Sequence, residues 1–340
     1  MRLFVTFGSW GEIAPLLELA LRLKDMGERV EFATTNWASR VEAYGIKCHR
    51  FPDAPKHADT LDAFLNAHLV GRSRALYDVI EAAKPSSVVC AFYAWPAIAY
   101  AEKHKLPCLL TTTSPYYFLQ TEAAPAYEKC YEEYLAIRGA GDFPPFQCVG
   151  LYPWYLESEY VGLSIGFPEL RPLVPLSKEV GDFIREPYGV ITRGTLVGRG
   201  QLDRMVNAIK AHGLKCLYLG PYETNADLSA FLDNHSEAVK HATVAITHAG
   251  IGTTIDCMGS PMVVDPVGYD QFYNAHRLID LKCAVGVKGS YIEAISEALK
   301  PRSFLPNRFY FEIFLRILNE HTPSDVRRSS ANVGQCAQVH

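Results

Sequence analysis

The sequence predicts an α/β protein of two doubly wound, βα-repeating halves facing one another across a cleft, and three observations carry that expectation. The chain has 340 residues, about twice an ordinary single domain. Apolar, β-rich runs alternate with segments of helical periodicity from residue 1 to Thr113, and again from Tyr188 onward. Between these stretches six of the 21 prolines fall from Pro144 to Pro175, and the alternation breaks.

Element by element, Arg2 to Phe7 is an apolar strand running into Gly8-Ser9-Trp10-Gly11. Leu16, Leu17, Leu19, Ala20 and Leu23 then mark a helix from Pro15 to Met26, stopped by Gly27. A strand over 29–34 and a helix over 37–44 follow, then helix 75–83, strand 87–92, helix 97–104 and strand 108–113, closed by Ser114-Pro115. The second set reads as strand 189–192, helix 202–212, strand 216–219, helix 228–240, strand 243–247, strand 262–265 and helix 271–281. Near the end Tyr310, Ile313, Phe314, Ile317 and Leu318 recur at helical spacing, and residues 322–340 are polar and patternless. The expected organisation is therefore a first domain over 1–170, a linker over 171–187, a second domain over 188–300, a C-terminal helix over 301–321 that docks back on the body, and a disordered tail over 322–340.

Composition narrows the function classes. The chain is 49% hydrophobic and 21% charged with a net charge of -4, which supplies sizeable cores but no basic excess for nucleic acid. The nine cysteines are scattered singly without CxxC spacing, the usage of reduced, core-packed thiols rather than a disulfide framework or zinc site. No leader pattern precedes the first strand, and the longest uncharged apolar stretch, 88–101, is interrupted by Pro96 and too short for a bilayer. A cytoplasmic protein without an integral membrane segment is expected, with peripheral membrane contact left open and the oligomeric state unread.

The most chemically specific segment is His248-Ala249-Gly250-Ile251-Gly252-Thr253-Thr254, between an apolar strand and a short helix. Glycines let backbone approach a ligand, and a helix N-terminus offers N–H groups and a positive dipole end to an anion such as a diphosphate. Thr253 and Thr254 add hydroxyls and His248 a ring N–H. On its own the segment also suits an ordinary strand-to-helix turn. Gly8 to Gly11 lacks the Gly-x-Gly-x-x-Gly spacing of a dinucleotide fold, which argues against hydride transfer.

His-x-Gly-x-Gly-Thr-Thr, followed by Gly259-Ser260-Pro261, Asp265-Pro266 and Gly268-Tyr269-Asp270-Gln271-Phe272-Tyr273-Asn274, resembles the donor signature of the family 1 glycosyltransferases, the UDP-glycosyltransferase superfamily with the GT-B fold. The turn Gly8-Ser9-Trp10-Gly11-Glu12-Ile13-Ala14-Pro15 is similar to the Gly-Ser-x-Gly-Asp-x-x-Pro loop of its sterol, macrolide and glycopeptide members, and Gly166-Phe167 and Gly194-Thr195 match further landmarks. The resemblance implies that Gly194, Thr195, His248, Gly250, Gly252, Thr253, Thr254, Asp270, Gln271 and Asn274 bind the donor, with Asp270 and Gln271 on sugar hydroxyls. It implies Glu12 as general base. Ala249 stands where the family carries its second glycine, and no Gly-Trp-x-Pro-Gln platform precedes His248, so uridine is implied by the family alone.

The implied activity is metal-independent, inverting transfer of a hexose, glucose foremost, from a UDP-sugar to a hydroxyl of a small lipophilic acceptor such as a sterol or polyketide-like molecule. The UDP-sugar is a co-substrate, and no cofactor or metal is expected, since no Asp-x-Asp segment occurs. Ser9, Trp10, Tyr93 and Tyr116 are candidates for the acceptor pocket, although aromatics after strands also serve cores. Glu12 also suits a first-turn carboxylate at a helix N-terminus, and Asp270 and Gln271 suit the opening of a helix. A UDP-sugar 2-epimerase of similar fold and a catalytically silent sugar-nucleotide binder are the alternatives.

Overall fold

The computed structural model describes residues 1–6, 10–35, 37–51, 73–91, 94–115, 148–156, 163–192, 201–232, 235–301 and 306–320. Two parallel sheets organise them. In the first half, β1 (Arg2–Val5), β2 (Val30–Thr34), β3 (Cys48–Arg50), β4 (Ser87–Ala91), β5 (Cys108–Thr112), β6 (Cys148–Gly150) and β7 (Leu163–Ser164) lie in the order β3-β2-β1-β4-β5-β6-β7. The second half places β8 (Tyr188–Thr192), β9 (Lys215–Leu219), β10 (Leu228–Ala230), β11 (Val244–Thr247), β12 (Met262–Val264) and β13 (Ala284–Gly286) in the order β10-β9-β8-β11-β12-β13. The inner strands β2, β4, β8 and β11 are buried along their whole length, and β1 is buried after Arg2, as parallel strands covered on both faces must be.

Helices α1 (Trp10–Asp25), α2 (Ala38–Ala43), α3 (Ser73–Ala83) and α4 (Trp95–Lys103) belong to the first half. The second carries α5 (Lys178–Phe183), α6 (Leu202–Ala211), α7 (Ser236–Val239), α8 (Ile251–Cys257), α9 (Gln271–Asp280) and α10 (Tyr291–Ala298), and α11 (Phe311–Glu320) follows. α1 starts earlier than the periodicity suggests, with Pro15 inside it. Lacking an N–H, Pro15 cannot bond the Gly11 carbonyl, but eight other buried side chains hold the helix on the sheet.

The expectation of one helix over 228–240 is corrected. Leu228–Ala230 is a strand paired in parallel with Leu217–Leu219, and only Ser236–Val239 is helical. The local cause is Asp227, whose carboxylate accepts the Cys216 N–H at 2.8 Å while its own N–H donates to the Cys216 carbonyl at 3.0 Å. That clamp holds the following residues against the sheet edge. The stretch read as a linker, 171–187, also contains α5, capped by Ser177.

Packing crosses between the halves. Tyr152, Tyr155, Leu156 and Phe167 bury themselves with Val190, Leu217 and Ile255 of the second half, whereas Phe314, Ile317 and Leu318 of α11 pack into the first half's core. The two crossover segments are tied together: Asn307 Oδ1 accepts the Phe167 N–H at 3.2 Å, its Nδ2 donates to the Phe167 carbonyl at 3.0 Å, and the Tyr310 N–H donates to Ile165. Buried Glu18 on α1 accepts from Arg22 and from the Arg171 backbone and guanidinium, with contacts of 2.9 to 3.1 Å. The guanidinium of Arg171 is held fully protonated by Glu18, despite burial, with help from Asp25.

Candidate active site between the halves

Strand order locates the site before any side chain is considered. In a doubly wound sheet, ligands gather at the carboxyl ends of the strands where the order reverses direction. That point lies between β1 and β4 in the first sheet and between β8 and β11 in the second. α1 leaves the first switch point and carries Glu12 in its opening turn; α8 leaves the second directly after His248. The two helices come into contact, which brings the switch points toward one another.

At the second switch point Thr192 and Thr247 pair as the last residues of their strands. His248 is buried, and its Nδ1 lies 3.5 Å from the Thr192 carbonyl, turning Nε2 over Gly250. A Cβ at residue 250 would collide with that nitrogen and displace the imidazole, so the pressure for glycine comes from His248 rather than from dihedral angles that any residue adopts. Ala249 has φ 64°, in the left-handed region where glycine costs nothing and alanine is strained. The glycine that the resemblance expects at this place therefore has a conformational reason.

Gly250 stands at the N-cap of α8 and has no side chain with which to cap the N–H groups of the first turn. The Thr253 hydroxyl is committed internally: it accepts from Thr247 Oγ1 at 3.1 Å and donates to the Gly250 carbonyl at 3.0 Å. Thr254 is fully buried in the same turn, and a Cβ at Gly252 would meet Phe167 at ordinary van der Waals distance.

Asp270, Gln271 and Asn274 open α9 beside this loop. Asn274, fully buried, donates from Nδ2 to the Ala249 carbonyl at 3.1 Å, its backbone N–H donates to the Asp270 carbonyl at 2.9 Å, and its amide helps to lower the Asp270 carboxyl. Asp270 stands at the N-cap position, yet its side chain does not cap the helix. It accepts instead from Ser114 Oγ at 2.9 Å, a residue of the other half. Burial pushes the Asp270 carboxyl up to about 6, while Ser114, Asn274 and its own backbone N–H pull it down. Gln271 Oε1 accepts the N–H groups of Val267 at 3.0 Å and Gly268 at 3.2 Å, which leaves its amide nitrogen as the group to offer a ligand.

Residues 196–307 match the model of the glycosyltransferase family 28 C-terminal domain. No curated protein sequence matches the chain. Among solved structures, the spinosyn rhamnosyltransferase SpnG superposes with a TM-score of 0.72 at 14% identity, covering 96% of this chain and 99% of that one. The glycosyltransferase SsfS6 of Streptomyces sp. SF2575, complexed with thymidine diphosphate, gives 0.71 at 20% identity over 97% and 99%. The glycotransferase of kitacinnamycin gives 0.69 at 18% over 96% and 94%. The chain has the GT-B glycosyltransferase fold.

Within that GT-B frame the residues proposed for the donor divide. His248, Gly250, Gly252, Thr253, Thr254, Asp270, Gln271 and Asn274 are brought together around α8 and the start of α9. Gly194 and Thr195, and the acceptor candidates Ser9, Tyr93 and Tyr116, lie outside the described residues, as does the tail over 322–340. Trp10 is half-buried between Trp37, at 5.5 Å between ring centroids, and the Arg40 guanidinium, 3.8 Å above its ring. That sandwich fixes the wall from which α1 starts.

Sequence reasoning did not single out Ser114 as a functional residue; it read only as the end of a strand. Asp256 was likewise overlooked. It lies on α8, where burial and the neighbouring Glu169 push its carboxyl up to about 7 against the pull of Lys240. Among the described residues no group of three or more His, Cys, Asp or Glu side chains is placed to hold a metal, and no helix is long and apolar enough to cross a membrane.

Proposed function

We propose that this chain transfers a sugar from a nucleoside diphosphate to a hydroxyl of a small lipophilic acceptor, with inversion and without a metal. One observation carries the reading: an N-terminus with no side-chain cap on α8, His248, and the Asp270–Asn274 pair converge at the second switch point. Each offers what one part of such a donor requires. The backbone N–H groups of α8 and its dipole suit the diphosphate. Asp270 and the Gln271 amide suit sugar hydroxyls. Asn274 reaches from this pair to the Ala249 carbonyl and holds the phosphate loop in register with the sugar end.

Chemistry assigns the remaining roles. Glu12 removes the acceptor proton as the hydroxyl attacks the anomeric carbon, and the bond to the diphosphate oxygen breaks on the opposite face. Negative charge then grows on the leaving phosphate, where fixed N–H donors stabilise it without reorganising. His248 Nε2, turned over Gly250, is the ring nitrogen placed to meet the leaving phosphate. The thymidine diphosphate bound to SsfS6 supports a nucleoside diphosphate as the ligand class. UDP- and dTDP-sugars are both donors to test, glucose first. The spinosyn aglycone bound to SpnG supports a small organic acceptor, with sterols and polyketide-like molecules as the acceptors to test.

A thermal-shift panel of UDP- and dTDP-sugars, with and without EDTA, tests the donor site. A ligand at a hundred times its Kd stabilises the folded state by about 2.7 kcal/mol, so at least one sugar nucleotide should raise Tm by several degrees, unchanged by the chelator. No shift with any of them would overturn the reading, and a shift abolished by EDTA would overturn metal independence. Conversion of the sugar nucleotide without acceptor would reassign the chain to an epimerase.

A further inference from the structure

Ser114 and Asp270 belong to different halves and lie 156 residues apart, yet they share a hydrogen bond of 2.9 Å. Ser114 is held rigidly at the end of β5. Its N–H donates to Thr112 Oγ1 at 3.1 Å, and Thr112 Oγ1 donates to the Ser114 carbonyl at 3.0 Å. The hydroxyl therefore moves with the first sheet. Asp270 moves with α9, and its carboxylate is drawn away from the N-cap role that its position invites.

We propose that Ser114 is a positioning residue for Asp270: closing the cleft brings its hydroxyl to the carboxylate and turns the carboxylate toward the donor sugar. The inference rests on the donor site proposed above. Opening the halves breaks the bond, because its two ends ride on separate sheets. Closure and a correctly oriented sugar-binding carboxylate thus become one event, and an open enzyme does not hold its donor ready for water.

The coupling has a signature that mere packing lacks. The hydrogen bond from Ser114, with the neighbouring Asn274 amide, favours the ionised form of Asp270 against its burial. Among the described residues, Glu12 opens α1 and His248 precedes α8 near the two switch points, while Arg277 on α9 donates to the Tyr155 carbonyl at 3.1 Å. Removing the Ser114 donor raises Asp270 further, so the loss of donor binding on acidification should begin at higher pH.

Calorimetric titration of UDP- and dTDP-sugars, and of the free nucleoside diphosphates, into wild type, Ser114→Ala, Ser114→Thr and Asp270→Asn between about pH 5 and 8 tests this. Wild type should lose sugar-nucleotide affinity as pH falls through about 6, where Asp270 takes up its proton. In Ser114→Ala that loss should start at higher pH, with affinity roughly threefold to tenfold below wild type near neutrality, and Ser114→Thr should restore it. Free nucleoside diphosphate should bind both alike. Asp270→Asn should abolish the acid loss, and adding Ser114→Ala to it should change nothing more. Coincident pH profiles for wild type and Ser114→Ala, with wild type binding its donor, would overturn the inference alone; failure of wild type to bind any donor would remove the site and the inference together.

Discussion

At the scale of single residues, Gln271 shows how a binding candidate can be occupied by the fold. Its carbonyl oxygen holds the N–H groups of Val267 and Gly268, fixing the loop that delivers Asp270. Gln271→Ala should therefore cost about 1 kcal/mol, as two part-buried N–H groups lose their acceptor, and weaken sugar binding by loosening Asp270. Gln271→Glu keeps the acceptor and loses the amide donor. It should recover the melting temperature of wild type while discriminating poorly between donor sugars, a pair of outcomes that chemical denaturation and calorimetry separate. An unchanged stability in Gln271→Ala would contradict the bracing role. The sequence made the local part of this site readable, since a glycine-flanked helix start and an Asp-Gln pair are patterns of neighbours. Ser114 was not readable as a partner of Asp270, because nothing in either segment encodes a contact made only when two sheets meet.

Among elements, the crossover at Gly166 is the most tightly specified. Its φ is 81°, and a Cβ there would collide with the Arg308 carbonyl of the returning segment. Gly166→Ala should lose about 2–4 kcal/mol, combining the left-handed penalty with displacement of a backbone group that cannot rotate away. Urea unfolding measures this, and a loss under about 1 kcal/mol would mean that the two crossovers are not in register. The buried strands β1, β4 and β8 read directly as continuous apolar runs, and α6 by its helical period. The segment 228–240 was misread because its apolar spacing suits a helix, while Asp227 pins its start to Cys216 and hands Leu228–Ala230 to the sheet edge. Short edge strands such as β3 and β7 have too few residues to show alternation at all.

For the whole molecule, the two halves meet along a seam that contains Asp256 on α8 as well as the cleft. Glu169 of the crossover accepts from Asn307 Nδ2 at 3.3 Å and pairs with Lys240 at 3.7 Å, and its charge helps burial raise Asp256 from an ordinary 3.8 to about 7. The native state thus keeps a proton between about pH 4 and 7 that the unfolded chain has released, so this group's contribution to stability falls as pH rises through that window. Asp256→Asn should flatten that part of the stability profile and gain most over wild type above about pH 7; parallel profiles for the two proteins would contradict the assignment. The central claim concerns both switch points at once, because donor and base come from opposite halves of a GT-B fold. It is tested most directly by single-turnover release of nucleoside diphosphate from the sugar nucleotide that binds, with and without a lipophilic alcohol acceptor, in wild type and Glu12→Gln. The account predicts acceptor-dependent release with formation of an inverted glycoside, and a loss of about a hundredfold or more in Glu12→Gln at unchanged donor affinity. Equal rates in the two proteins, or release that ignores the acceptor, would contradict it.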